Sequence, residues 1–247
     1  MRVAVCAKQI PDPATPGRLD PASWTLDRTD RLMLDEADSY GVEVALRLVE
    51  RAGGGEVTLV SMAPRSETAG LRTALAMGAA SAMLATDGAL AGSDALGTAK
   101  VLAAAIKSIS PDLVLAATES TDGYTGTVPA QLAELLGLPS ITFAKRIELD
   151  DEATSVLVWR QTEAGDDEVR CPLPALVSVT AGVVEPRYPS YKGIVSAKSK
   201  PITLLGIADL GISPASVGTA GAGQEVVGVA VAELRQAGEM IVDGGDA

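Results

Sequence analysis

The chain reads as an α/β protein: a doubly wound, mostly parallel sheet with an antiparallel strand extension and an extended C-terminal arm. Three observations predict this. Short apolar runs alternate with helix-patterned segments through the first half. Several of those runs are apolar almost without a break, as strands covered on both faces are. From about residue 140 onward, strand-like segments follow one another with turn-like breaks and no helix between them, the pattern of antiparallel pairing.

In order, "RVAVCAKQI" (2–10), "EVTLVSMA" (56–63), "SAMLATD" (81–87) and "DLVLAATES" (112–120) are the strands of the first half. Between and after them, "DEADSYGVEVALRLVERAG", "SETAGLRTALAMGAA", "SDALGTAKVLAAAIKSIS" and "TVPAQLAELLG" place apolar residues at helical spacing, and several are preceded by Ser, Asp or Thr and closed by Gly. Such β-α-β alternation forces parallel pairing. "SITFAKRIELD", "TSVLVWRQTEAG" and "DEVRCPLPALVSVTAG" then read as antiparallel strands that extend the sheet or form a flap. Further on, "SPASVGTAGAGQ" has the composition of a flexible linker, and "VAVAELRQAGEMIVDGGDA" belongs to no evident core. The expected division is an α/β domain over 1–205, including an exposed loop at 185–200, and a linker and arm over 206–247.

The 247 residues, 47% hydrophobic and 21% charged, are enough for a sizeable aliphatic core. Twenty Lys and Arg against 32 Asp and Glu give a net charge of −12, which repels nucleic acid and anionic lipid. No histidine occurs, which removes the commonest general base and metal ligand. Cys6 and Cys171 lie far apart in apolar runs without a C-x-x-C, so they read as buried thiols of a reduced compartment. The N-terminal apolar run is too short for a signal peptide and no stretch is long enough to span a bilayer, so the expected location is the cytoplasm, with no membrane insertion.

Three clusters carry candidate function. In "DLVLAATESTDGYTGTVPAQLAELLGLP" (112–139) a strand ends in a polar run and a helix follows. Ligands of open α/β sheets bind at such carboxyl ends. Thr118, Ser120, Thr121 and Thr125 can bond phosphate or ribose oxygens, Gly123 and Gly126 admit close backbone approach, and the helix start near Thr127 points N–H groups at an anion. The same residues also fit a capped helix and a turn, which such clusters more often are. In "LDEADSYGVEVALRL" (34–48), Asp35 and Asp38 fall near a helix start, where one can cap and the other can face a ligand or add to the cap. No G-x-G-x-x-G or G-x-x-x-x-G-K-[ST] is present. The third cluster, "EPRYPSYKGIVSAKSK" (185–200), sets Arg187, Lys192, Lys198 and Lys200 against Glu185 alone, with Tyr188, Tyr191 and Ile194 among them. It fits a docking surface or a Pro-broken solvated loop.

On "AKQIPD" (7–12), "LDEAD" (34–38), "RTALAMGA" (72–79), "AGSDALGTAKVLAAAI" (91–106), "STDGYTGTVP" (120–129), "LPAL" (173–176), "EPRYPSYKGI" (185–194) and "ADLGI" (208–212), in this order and spacing, the chain resembles the β subunit of electron-transfer flavoprotein over nearly its whole length. The resemblance implies an adenine-nucleotide-binding type of α/β domain in a heterodimer whose α subunit holds the redox-active FAD, while this subunit buries one AMP as a structural element. It implies a carrier that takes electrons from acyl-CoA dehydrogenases of fatty acid β-oxidation, and from similar flavin dehydrogenases, to a membrane quinone oxidoreductase, without bond chemistry of its own.

By position, the family's AMP-binding residues fall on Cys6, Asp35, Glu36, Ala37, Asp38, Met62, Ala117, Thr118, Glu119, Ser120, Thr121, Asp122, Gly123, Tyr124, Thr125 and Gly126. The phosphate would meet backbone and hydroxyls of 122–125 without needing a lysine. The family's recognition loop falls on Glu185, Pro186, Arg187, Tyr188, Tyr191, Lys192 and Ile194, with Tyr191 at its apolar anchor. Where some relatives place an aromatic near the flavin, this chain has Pro13, and it stops at "VDGGDA", where relatives continue into a helix that packs on the α subunit. Two other readings stay open: an electron-bifurcating variant that binds a second FAD and oxidises NADH, and a stand-alone adenine-nucleotide-binding or hydrolysing protein that holds a metal with Asp35, Asp38 and Asp122.

Overall fold

The apolar run at the N-terminus becomes β1 (Arg2–Cys6), and its period of two builds both halves of the core. Val3 and Val5 point to one face of the sheet, Ala4 and Cys6 to the other. In this computed structural model, residues 1–64, 67–230 and 238 are described. β1 lies parallel to β4 (Glu56–Met62) on one side and β6 (Leu113–Ala117) on the other. Beyond β4 come β5 (Ser81–Ala85) and β11 (Ile202–Leu205); beyond β6 come β10 (Ala175–Val179), β7 (Ser140–Leu149), β8 (Ser155–Thr162) and β9 (Gly165–Pro172). Pairing is parallel from β11 to β7 and antiparallel from β7 to β9. The expected parallel sheet with an antiparallel extension is present.

α1 (Glu36–Arg51) and α2 (Ala69–Met77) cover the face of Val3 and Val5, while α3 (Ala95–Ile109) and α4 (Val128–Leu136) cover that of Ala4 and Cys6. Fully burying each of Leu59, Leu71, Leu75 and Leu84 contributes roughly 1.5–3 kcal/mol. Successive crossovers run from β1 out to β5 and then return to β6, on the other flank of β1. The connection therefore reverses between β1 and β6, and a crevice opens where their carboxyl ends diverge.

Three expectations change. "DEVRCPLPALVSVTAG" is two strands: β9 ends at Pro172, and β10 enters the sheet between β6 and β7, parallel to both. All five β10 residues are buried, which a strand with a solvated face could not be. A short hairpin, β2 (Gln9–Pro11) with β3 (Leu32–Leu34), lies outside the main sheet. The "SPASVGTAGAGQ" stretch is docked: Val217 is fully buried, the Gly218 N–H donates to Ser93 Oγ at 2.8 Å, and the Gly223 N–H donates to Asp94 Oδ2 at 2.8 Å. The arm expected beyond residue 230 lies outside the described residues, Gly238 excepted. No helix among the described residues is long and apolar enough to cross a membrane.

Candidate functional site

The crevice is built from three chain segments: the exit of β1 (Ala7 to Gln9), the start of α1, and the polar run after β6. Asp35 is fully buried and joins two of them. It caps α1, its Oδ1 accepting from the Ala37 N–H at 3.1 Å, and it also accepts from the Thr121 backbone N–H at 2.8 Å and the Thr121 hydroxyl at 2.9 Å. The Asp35 N–H in turn donates to the Lys8 carbonyl at 3.0 Å. Four bonds from one short residue explain why aspartate is placed there: a carboxylate accepts several N–H and O–H groups at once.

Asp38, one helical turn on, is 5% exposed and accepts from the Lys8 N–H. Burial pushes its carboxyl up to about 8, with the neighbouring Asp35 charge acting in the same direction against the Lys8 bond. Burial also pushes the Cys6 thiol up to about 12, aided by Asp38, so this cysteine is no nucleophile at neutral pH. Asp122 turns inward, its side chain only 6% exposed. It accepts from Lys8 Nζ at 2.6 Å and from the Arg28 guanidinium. Burial alone would raise its carboxyl, but Lys8 and Arg28 outweigh that and hold it below the usual carboxylate range.

The run 120–127 thus becomes a cradle pinned from beneath. Lys8 Nζ donates to Ser120 Oγ at 3.1 Å, and the Tyr124 N–H closes a turn onto the Ser120 carbonyl at 3.0 Å. At Gly123 a Cβ would lie 3.4 Å from Ser120 Oγ and 3.7 Å from Lys8 Nζ, so a side chain there would crowd the cradle. Gly126 has φ +68°, which L side chains rarely adopt. α4 follows with Thr127 as N-cap, without a side-chain cap bond, so its first-turn N–H groups face the cradle side of the crevice.

The structure brings Asp35, Asp38, Ser120, Thr121, Asp122 and Gly123 together. Others stand apart from that network. Thr118 is tied to β10, its hydroxyl donating to the Val179 carbonyl at 3.0 Å, so neither it nor Thr121 offers the free hydroxyl expected. Cys6 lies in the core under α3 and α4, where Met62 packs at its edge. Glu36, Glu119, Tyr124 and Thr125 are exposed, and Ala37 contributes its N–H to the cap. Three residues escaped the sequence reading. Lys8 places a cation in the cradle that the reading held unnecessary; its position directly after the first strand was the available signal. Gln9, 2% exposed, accepts from the Gly70 N–H at 2.9 Å and so caps α2. Arg28 sits 94 residues from its partner Asp122 in an irregular loop, and no local pattern marks it.

The 185–200 segment lies at another surface. It contains α5 (Tyr191–Ala197), capped by Ser190, whose Oγ accepts from the Gly193 N–H at 3.0 Å. Tyr188 is 91% and Tyr191 84% exposed, and Ile194 stands half-exposed beside them. Two of the four cations expected to form a basic island are turned inward. Arg187 Nε donates to Glu43 Oε2 at 2.7 Å and Nη1 to Glu50 at 2.8 Å, while Lys200 Nζ donates to the Leu75 and Ala79 carbonyls at the end of α2. Asp35, Asp38 and Asp122 accept from different protein donors, which leaves the metal-holding reading without a shared ligand set.

Two cavities lie elsewhere. One of about 550 Å³ opens between the Pro11–Arg18 stretch and α2, and another of about 430 Å³ lies between α3, α4 and the turn at Leu210.

A sequence model of the electron transfer flavoprotein domain matches residues 23–210. The chain is 39% identical over 250 residues to the electron transfer flavoprotein subunit beta of Mycobacterium leprae, covering 99% of this chain and 93% of that one. It is 37% identical, over the same length and shares, to the protein of that name from Mycobacterium tuberculosis. It is also 35% identical over 243 residues to the caffeyl-CoA reductase-Etf complex subunit CarD of Acetobacterium woodii, covering 98% of this chain and 92% of that one. With the family model spanning most of the chain and these relatives spanning nearly all of it, the chain belongs to the electron transfer flavoprotein family, among its β subunits.

Proposed function

We propose that the crevice between β1 and β6 holds one AMP as a structural element, and that this subunit and an FAD-carrying α subunit together form an electron carrier. The cradle at 120–127 carries the reading. It offers backbone N–H groups beside two glycines, the first turn of α4, and Lys8 Nζ at one rim. A phosphate monoester suits such a donor set, and it resolves how a chain of charge −12 can hold an anion. Ser120, Gly123, Thr125 and Gly126 would meet the phosphate; Asp35 and Asp122 would hold the loop that carries them.

In this reading FAD supplies the redox chemistry when bound to the partner, and this chain binds, orients and docks. The donors are acyl-CoA dehydrogenases and similar flavin dehydrogenases, the acceptor is a membrane quinone oxidoreductase, and the compartment is the cytoplasm. Residues 1–205 form the nucleotide domain, and 206–247 form an arm that packs on the α subunit. Tyr188, Tyr191 and Ile194 provide the apolar docking surface.

The experiment is to denature the co-expressed heterodimer and count the released nucleotides by chromatography with mass detection. One AMP and one FAD support the reading. Two FAD without AMP would point to the bifurcating variant, which the name of the Acetobacterium woodii relative keeps in view. FAD alone would sink the crevice assignment.

A further inference from the structure

The docking surface poses a mechanical question. α5 has seven residues, fewer than a free helix needs to hold its shape in water, and of these only Ala197 is buried. Tyr188 and Tyr191 are almost wholly exposed, so they contribute little packing of their own. What fixes the segment is a set of polar tethers to α1 and α2.

The α2 tethers hold the far end. Arg72 Nη1 donates to the Ala197 and Lys200 carbonyls at 2.6 and 2.7 Å, and at Gly193 a Cβ would lie 2.4 Å from the Ala76 carbonyl, so α5 rests directly on α2 backbone. The near end converges on one carboxylate. Glu43, in the middle of α1, has a side chain 2% exposed. It accepts from the Arg187 backbone N–H at 3.2 Å, Arg187 Nε at 2.7 Å, Arg187 Nη2 at 3.2 Å and Arg47 Nε at 2.6 Å. Arg47, oriented by that bond, donates from Nη2 to the Glu185 carbonyl at 3.2 Å. Both backbone positions that lead into Tyr188 are therefore set through Glu43.

We propose that Glu43 is a positioning residue for partner docking: from the buried face of α1 it fixes the backbone at 185–187 and so the direction in which Tyr188 and Tyr191 leave the surface. The inference rests on the docking role proposed above for that segment. The bidentate guanidinium geometry supports it, because a fork on a carboxylate sets angle as well as distance. The burial of the carboxylate means that salt screens the tether far less than it would an exposed pair.

The test uses the co-expressed, FAD-loaded heterodimer as electron acceptor for a purified acyl-CoA dehydrogenase, with Glu43→Gln, Arg187→Lys, Tyr191→Ala and the Glu43→Gln/Tyr191→Ala double variant. Glu43→Gln keeps volume and one acceptor but loses the charge. The expected result is a KM for the carrier raised about tenfold in Glu43→Gln, with kcat, FAD content and thermal midpoint close to the parent, and with the double variant no worse than Tyr191→Ala alone. Arg187→Lys, which keeps the charge but not the fork, should reproduce the KM effect. If Tyr191→Ala raises KM and Glu43→Gln does not, or if the two effects add in full, the positioning role is overturned while docking through the segment stands. If neither changes KM, the docking reading fails, and the inference with it.

Discussion

The cradle at 120–127 and the docking segment at 185–198 are both loops pinned to the same helix, yet they present opposite surfaces. Asp35, at the start of α1, holds the first by three bonds to Ala37 and Thr121, and Glu43, two turns later, holds the second by four bonds to Arg47 and Arg187. Beyond its tether the cradle exposes glycine backbone and a helix start, which suit an anion; the docking segment exposes tyrosine rings, which suit a protein. The lesson is that buried carboxylates set shape at both places, and the exposed residues set what is bound. A variant can therefore separate the two roles by which side of the loop it touches.

The sharpest separation comes from Asp35→Ala. Removing a buried cap and both Thr121 bonds should cost about 3 kcal/mol of stability, seen as a lowered denaturation midpoint, and should release nucleotide. An unchanged midpoint would mean that the cradle is not held from beneath. Asp122→Asn comes next: it leaves Lys8 and Arg28 without their shared charge, and a loss of about 1–2 kcal/mol is expected. Because the carboxyl of Asp122 is held low in the folded chain, its contribution is present at neutral pH and fades as pH falls below the ordinary carboxylate range. The midpoint difference between parent and Asp122→Asn should shrink accordingly in acid.

Asp38 should behave in the opposite sense. Its folded value of about 8 exceeds the unfolded 3.8, so the folded chain binds a proton that the unfolded chain lacks between those values. Stability should fall as pH rises from about 4 to about 8 through this group, and Asp38→Asn, which mimics the protonated acid, should flatten that slope. Thermal midpoints at pH 5 and pH 8 measure it. The smallest effect on stability belongs to Tyr191→Ala: with the side chain mostly exposed, a change within about 0.5 kcal/mol is expected. A large loss of stability there would show that the docking segment is held by its rings, against the comparison drawn above.

The parallel half of the sheet was legible because each strand and helix announces itself locally, through continuous apolar runs and 3.6-residue spacing. The place of β10 was not, because pairing partners are chosen across the sheet and "ALVSV" says only that both faces are covered. Its complete burial was nonetheless foretold by that unbroken apolar composition, and weighing it would have argued for a parallel partner. Within the crevice, Asp35, Asp38 and the 120–126 run were visible as cap and turn chemistry. Arg28 was not, since an ion pair with Asp122 is a property of the folded loop and leaves no periodic trace. Arg187 illustrates the converse: its charge was plain, but the sequence could not show that Glu43 and Glu50 neutralise it.

The outer strand β9 begins Gly165, Asp166, Asp167, Glu168, three acids in succession on the edge of a nine-stranded sheet. An uncovered edge offers a row of N–H and C=O groups to any extended chain, including another copy of itself. Carboxylates along this one, in a chain already at −12, make two such edges repel. At the opposite border β11 spans four residues and follows a proline, too short a template for growth. Acid or high salt, which neutralise or screen those carboxylates, are thus the conditions in which concentrated solutions of the chain should first turn cloudy.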